Sequence, residues 1–600
     1  MLTTPATAPI TYRVAMPTPQ SHEYEVTIDV PALSDRPDRE IVDLCFPAWA
    51  PGSYLVRDFV RHVYRLAITD ARGRALPFAR VDKQRWRVQS EGRAFRVRYL
   101  VFAFDQSVRT SFLDDSHAYW NGTSLFFYVD GELGRPCRVV VAPPPRARWH
   151  VDTPLAPVRG ARLTYAAADF DELVDSPFEV GTHARHSFRV GKTTFELALY
   201  GRTNADVARL VDILRRVVVA TGAIFGGFPF SRYVFIVHAL PVGSGGLEHR
   251  ASVTMDITGL SFEDETGYHK FADLAAHEFF HAWNVKRIRD ATLGPFDYAR
   301  ENYTRLLWLH EGFTDYLANV IILRAGVTRE KHFWRWISED WPKYANRPGR
   351  NETPLSELSF EAWVKLYKPA ENHVNRAVSY YEKGLWVGMA LDLTLRLRTG
   401  GARGLPEMFK VLWDDLDGGA RHVSEADVRA AARKIAGGGP KVARELDAFF
   451  DRYVNGTAEL DLVGLWLRSG LKVRELADWQ GDDVDAVRAA RARAWTGVAL
   501  VADRTVVRNV VPDSPAWKAG LTFADEIVAV DGARVSNATF AKRVGDRKPG
   551  ERVKVAFFRR DELREAVMTL AESPERRVNV GPDPHAGKIA KSVRQGWLGL

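Results

Sequence analysis

Two histidines four residues apart, with a glutamate directly after the first, are the side chains of this sequence best suited by type and spacing to do chemistry. They stand in HEFFHAWNVKR, His277 to Arg287, among phenylalanines, an alanine and a tryptophan. On an α-helix, residues i and i+4 share a face, so His277 and His281 can aim their imidazoles at one point while Glu278 lies roughly 100° round the axis and near it. Two neutral imidazoles suit zinc, and a carboxylate beside them can take a proton from a water that the ion has acidified to a pKa of about 7. The bare H-E-x-x-H pattern arises by chance in about one chain in fifty of this length, so its surroundings must decide. The aromatic residues between the polar ones read as packing that fixes the helix.

A catalytic zinc of this kind takes a third protein ligand and keeps one position open. The next strongly helical stretch, LWLHEGFTDYL, offers candidates. Glu311 is the preferred ligand: 29 residues separate it from His281, enough for a loop and a returning helix. Asp315 follows at i+4, where it could accept the free N–H of a ligating histidine. His310, about 100° from Glu311 on the helical wheel, is the rival ligand. The cofactor expected is one zinc ion per chain.

The elements that must position these residues change character along the chain. Over 1–200 the pattern has period two: Tyr24, Val26, Ile28 and Val30 alternate with Glu23, Glu25, Thr27 and Asp29, and AFRVRYLVFAF and CRVVVA add apolar runs. That predicts antiparallel sheet, broken by turns such as PAWAPGS, in a β-sandwich-like domain. The aromatics of FPAWAPGSYLVRDF read as core or domain-interface residues, with a cleft lining as the alternative. Over 201–270 strand and helix mix, with NADVARLVDILRRVVVATGAIF helical, RYVFIVHAL a strand and GGLEHRASVTM an edge strand opened by glycines.

Helices dominate 271–470, among them FADLAAHEFFHAWNVKR, TRLLWLHEGFTDYLANVIILRAG and KGLWVGMALDLTLRLR, the last stopped by RTGGARG. Lys286, Arg287 and Arg289 then read as a basic last turn balancing the helix dipole, with a peptide carboxylate as the alternative contact. The polar DWQGDDVDAVRAARARA marks a linker over 471–494, a compact unit occupies 495–575, and 576–600 reads as a weakly structured tail.

H-E-x-x-H followed by a helix reading W-L-x-E-G-F, with an E-x-x-x-D pair, resembles the gluzincin metallopeptidases, whose catalytic domain is thermolysin-like. GGLEH, Gly245 to His249, stands where aminopeptidases of this clan carry a glycine-rich exopeptidase motif, and SYYEKG, Ser379 to Gly384, is similar to their Y-E-K-G segment. Together with PAWAPGSY and the C-terminal unit, the order of motifs resembles the glycyl aminopeptidase family over nearly the whole chain. Leu247 and His249 depart from the methionine and asparagine that flank this glutamate in the aminopeptidase N family. The resemblance implies His277, His281 and Glu311 as zinc ligands, Glu278 as general base, and Gly245, Gly246 and Glu248 as the substrate-binding strand, Glu248 anchoring the free α-amine. It also implies Tyr381 as donor to the oxyanion, a contribution of about 3 kcal/mol for one such donor. Tyr380 is the neighbouring alternative and reads as a packing residue.

The stretch VVRNVVPDSPAWKAGLTFADEIVAVDGARV resembles a PDZ domain, with strand, P-x-S-P-A turn, short helix ending at Gly520, and a strand running into a D-G turn. Such domains bind a peptide C-terminus by adding it as a strand, and Val498 to Val501 would be the edge that receives it. Packing on the peptidase with no ligand is the alternative, since Trp495 could occlude the groove.

Composition closes off other classes. With 83 basic and 75 acidic residues, a net charge of +8 and no run of five or six like charges, no nucleic-acid arm is expected. Two cysteines exclude a disulfide framework, and no apolar stretch approaches a membrane span. No signal peptide is legible, so a cytoplasmic location is expected, or a periplasmic one if a leader has been removed. The fold expected is multidomain α+β: an N-terminal β-sandwich-like domain, a thermolysin-like catalytic domain with an α-rich lobe, and a C-terminal PDZ domain. The function implied is a zinc aminopeptidase removing glycine or alanine from peptides with a free N-terminus. A zinc endopeptidase is one alternative, and a PDZ-based adaptor with an inert metal site is the other.

Overall fold

The alternation near the N-terminus folds as sheet. In the computed structural model, which describes residues 8–33, 40–145, 147–475 and 494–599, the strand Glu23–Val30 buries Tyr24, Val26, Ile28 and Val30 and turns the residues between them away from the core. The chain divides into two units, the first drawn from residues 1–304, 317–327 and 409–424 and the second from 305–316, 328–408 and 425–600.

In the first unit, Glu23–Val30 belongs to a seven-stranded sheet that is antiparallel except for the pairing of Ile10–Ala15 with Cys137–Ala142. Two four-stranded sheets accompany it, and Trp120, Phe126, Phe127 and Val139 are among the residues of the shared apolar core. A separate five-stranded sheet runs in the order Ala184–Val190, Thr193–Gly201, Arg232–Leu240, Ser252–Thr258, Ser244–Glu248. Arg232–Leu240 lies at its centre, parallel to both neighbours and buried along nearly its whole length, which is why RYVFIVHAL is almost continuously apolar.

Two sequence expectations are corrected here. Residues 184–201 pair into this sheet rather than completing the N-terminal β domain, because period-two alternation reports a strand and not its partner. GGLEHRASVTM is not one edge strand but a hairpin: Ser244–Glu248 forms the antiparallel edge, His249 N–H donates to Ser252 O (3.0 Å), and Ser252–Thr258 returns inside. Beside the sheet, the helix Val207–Phe225, capped by Asp206 and ended by Gly226 at φ +80°, packs on the helix Glu265–Phe280.

The second unit is helical around Tyr380–Arg398, whose N-cap Ser379 accepts the Tyr381 N–H at 3.0 Å. Its last residues correct the expectation of a loose tail. Val578–Pro582 pairs antiparallel with Leu471–Glu475, and the helix Lys588–Leu598 packs on Tyr380–Arg398 with Trp597 fully buried. The strand's partner lies about a hundred residues earlier, out of reach of any local pattern. Residues 476–493, the bulk of the expected linker, lie outside the described residues.

Between those paired strands sits a module with its own core of Val507, Ile527, Phe540, Val555 and Met568. Asp531 and Gly532, at φ +49° and +74°, make the tight turn between Glu526–Val530 and Ala533–Arg534. Val498–Leu500 pairs with Val507–Val510, and among the described residues its other edge carries no strand. Asn375, on the short helix His373–Arg376, donates to the Val510 carbonyl and the Asn509 side chain, both at 2.9 Å, and so ties this module to the helical part of the unit.

Candidate active site

In the first unit, Asp264 caps the helix Glu265–Phe280, accepting the Thr266 N–H at 2.7 Å. His281 is the helix's cap residue and keeps helical dihedrals, so the i, i+4 relation with His277 survives to the last turn. Their rings stand at 83° with centroids 4.6 Å apart and the two Nε2 atoms 2.9 Å apart. The Asn284 carbonyl, 2.8 Å away, takes the proton of His281 Nδ1, which leaves the Nε2 lone pair facing His277. That tautomer and convergence fit a metal ion held by both rings. Phe279, Phe280 and Trp283 are fully buried, with Trp283 stacked on Phe225 at 4.6 Å, and they fix the helix as their positions implied.

Past His281 the chain leaves the helix, which corrects the reading of Lys286, Arg287 and Arg289 as a basic last turn. Lys286 is buried and pairs with Asp175 at 2.8 Å. Arg287 donates to the carbonyls of Ala282 (2.6 Å) and Arg250 (3.0 Å). Burial alone would raise the Asp175 carboxyl, but the Lys286 ammonium and His249 hold it well below the usual carboxylate range. Nothing in the local sequence signals Asp175 or Asn284; both are brought in by tertiary packing.

Glu248 ends the edge strand Ser244–Glu248, and its carboxylate, that of Glu278 and an imidazole nitrogen of His281 all lie within 4.8 Å of one another. The strand approaches so closely that a Cβ on Gly246 would stand 2.2 Å from Glu278 Oε1. Gly245, at φ +120°, adopts a conformation that favours glycine. Opposite, Gly52 of the PAWAPGSY loop lies at φ +87°, and a Cβ there would come within 2.7 Å of both Glu248 carboxylate oxygens. The loop thus lines the site, the alternative left open for its aromatics: Trp49, Tyr54, Glu248, Arg250, Lys286 and Arg289 surround a cavity of about 360 Å³.

In the second unit, Glu311 is buried within a π-helical turn, Trp308–Gly312, that leads into the helix Phe313–Arg324. Such turns widen a helix by one residue and recur at functional sites. Asp315 follows in the first turn of that helix. Gly312 meets Gly384 of the Y-E-K-G segment backbone to backbone: a Cβ on Gly312 would stand 2.5 Å from Gly384 Cα and 2.7 Å from the Tyr380 carbonyl. The glycines of the two motifs are therefore one crossing point, and it brings Tyr381 near Glu311. Burial and the charge of Glu311 keep the Tyr381 phenol well above its ordinary pKa, so its O–H stays a donor. Tyr380 is fully buried and stacks on Tyr381 at 4.7 Å, the packing role expected of it.

Residues 11–182 match the peptidase M61 N-terminal domain, residues 270–387 the M61 glycyl aminopeptidase family and residues 482–570 a PDZ domain. Among solved structures, an aminopeptidase N family protein from Idiomarina loihiensis is similar at TM-score 0.87 and 28% identity, over 98% of this chain and 100% of that one. An M1 zinc metallopeptidase from Deinococcus radiodurans matches at TM-score 0.46 and 15% identity, over 76% of this chain and 95% of that one. No curated protein matches. Fold and family together define the chain as a metallopeptidase. It carries the M61 N-terminal domain, the M61 glycyl aminopeptidase domain and a PDZ domain besides. No helix among the described residues is long and apolar enough to cross a membrane.

Proposed function

We propose that this chain is a zinc-dependent aminopeptidase that removes glycine or alanine from the free N-terminus of peptides. His277, His281 and Glu311 would hold one catalytic zinc, with Asp315 accepting the free N–H of a ligating histidine. When bound, the ion would supply Lewis acidity toward the scissile carbonyl and lower the pKa of the attacking water. Glu278 takes that water's proton and returns it to the leaving amine. Tyr381 donates its O–H to the oxygen on which charge develops. Glu248 pairs with the substrate's α-ammonium, and the strand through Gly245 and Gly246 runs beside the backbone being cut.

The observation that carries this reading is the clustering of Glu248, Glu278 and His281 within 4.8 Å. In a peptide, the α-nitrogen and the carbonyl carbon of one residue are about 2.5 Å apart. A carboxylate that close to the base therefore meets the amine of the very residue being released. An internal residue offers an uncharged amide there and leaves the buried Glu248 without a cation, which disfavours internal cleavage. The preference for a small first residue rests on the match to the M61 glycyl aminopeptidase family.

Hydrolysis of glycyl- and alanyl-anilides beside their N-acetylated forms tests the proposal. Cleavage of free-amine substrates alone is expected; efficient cleavage of acetylated ones would make the protein an endopeptidase. Absence of any hydrolysis, with peptide C-termini still binding along Val498–Leu500, would leave the adaptor reading.

A further inference from the structure

Within the first unit, away from the HEFFH helix, four fully buried side chains converge from three elements. His117 lies on His117–Trp120, Glu179 on the paired strand Phe178–Gly181, His183 just beyond it, and His238 on Arg232–Leu240 of the neighbouring sheet. Ligating atoms of His117, Glu179 and His238 lie within 4.8 Å of one another. Glu179 Oε2 stands 3.0 Å from His238 Nε2, and Glu179 Oε1 stands 3.6 Å from His183 Nδ1, beyond hydrogen-bond reach. Glu179 Oε1, His183 Nδ1 and His117 Nδ1 are buried without any hydrogen-bond partner, where nearly all such atoms in proteins are satisfied.

The outer nitrogens of two of these imidazoles are held by carboxylates. His238 Nδ1 bonds Asp256 at 3.0 Å, its direct register partner across the sheet, and His183 Nε2 bonds Asp152 at 2.6 Å. This is the carboxylate–histidine arrangement that orients metal-ligating imidazoles and turns their inner nitrogens toward an ion. Ligand atoms about 2.1 Å from a tetrahedral zinc lie about 3.4 Å from one another, between the 3.0 and 3.6 Å separations seen here.

We propose that His117, Glu179, His183 and His238 form a second, enclosed metal site that takes a divalent transition ion, zinc by its three nitrogens and one oxygen. All four ligands come from the protein and none is open to solvent, so the site is structural. It joins the four-stranded sheet carrying His117 and Glu179 to the five-stranded sheet that carries His238 and, at its edge, the Glu248 strand.

The test is metal content joined to location. The full chain, produced with zinc and dialysed against metal-free buffer, should hold about two zinc ions, and Glu179→Gln or His238→Gln about one. The His277→Ala/His281→Ala double variant should also retain about one, which separates this site from the proposed catalytic ion. Because the buried variants could fail to fold, crystals of the unsubstituted chain provide the deciding measurement: an anomalous map at the zinc edge should show a peak bounded by His117, Glu179, His183 and His238. Absence of that peak, or a second ion bound elsewhere, overturns the proposal and leaves a hydrogen-bonded histidine–carboxylate network.

Discussion

At the scale of single residues, the proposed chemistry rests on groups that the fold brings within a few ångströms of one another. The carboxylates of Glu278 and Glu248 and an imidazole nitrogen of His281 lie within 4.8 Å of one another. Glu278→Gln should keep its metal and lose hydrolysis by about 10²–10⁴-fold, checked by zinc content beside glycyl-anilide turnover. Tyr381→Phe should lower kcat by about 10²–10³-fold with little change in KM, since its O–H matters where charge develops. Glu248→Ala should fail mainly against free-amine substrates, so the ratio of free to acetylated cleavage would fall toward unity. The H-E-x-x-H trio was legible because helical spacing is a local property. Asn284, whose carbonyl takes the Nδ1 proton of His281, was not, because that bond depends on the chain leaving the helix just after His281.

At the scale of elements, the crossing of Gly312 and Gly384 explains why two motifs far apart in sequence each carry a glycine. Each glycine stands where a Cβ would strike the other's backbone. Gly312→Ala or Gly384→Ala should cost about 1–3 kcal/mol by overpacking and pull the Tyr381 helix away from Glu311. Thermal unfolding and kcat measured together should both fall, whereas a comparable substitution at the exposed Gly545, which meets no neighbour within 4 Å, should leave kcat unchanged. The π turn that carries Glu311 was read as plain α-helix, since a one-residue widening leaves no mark in apolar periodicity.

At the scale of the whole molecule, long-range pairings decide stability. Trp597 donates to the Tyr316 hydroxyl at 2.6 Å, and Tyr316 in turn bonds Asp392 within the Tyr380–Arg398 helix. Removal of residues 588–600 should therefore lower the Tm and solubility of the full chain, where a loose tail would be dispensable. Lys286→Met should destabilise by about 3 kcal/mol at neutral pH, because it strips the Asp175 carboxylate of its cation. The sign follows from the depressed folded pKa of Asp175: its contribution is present above the unfolded value of about 3.9 and fades as pH falls below it. Denaturant midpoints of the two proteins should accordingly converge below about pH 4 and differ most near neutrality.

The sequence by itself determined what depends on neighbours within a turn or two: the histidine pair and the glutamate beside it, the strand alternation of the N-terminal domain, the turn residues of the PDZ module. Tertiary structure alone decided that the Glu248 strand turns back as a hairpin and that the Asn284 carbonyl meets His281. It also paired Val578–Pro582 with a strand a hundred residues earlier and gathered His117, Glu179, His183 and His238 into one buried cluster. The physical reason is the same in each case. Helix and strand periods record how a segment faces its surroundings, but the partner that closes a site is set by packing and register between segments distant in the chain, which leave no periodic trace in either one.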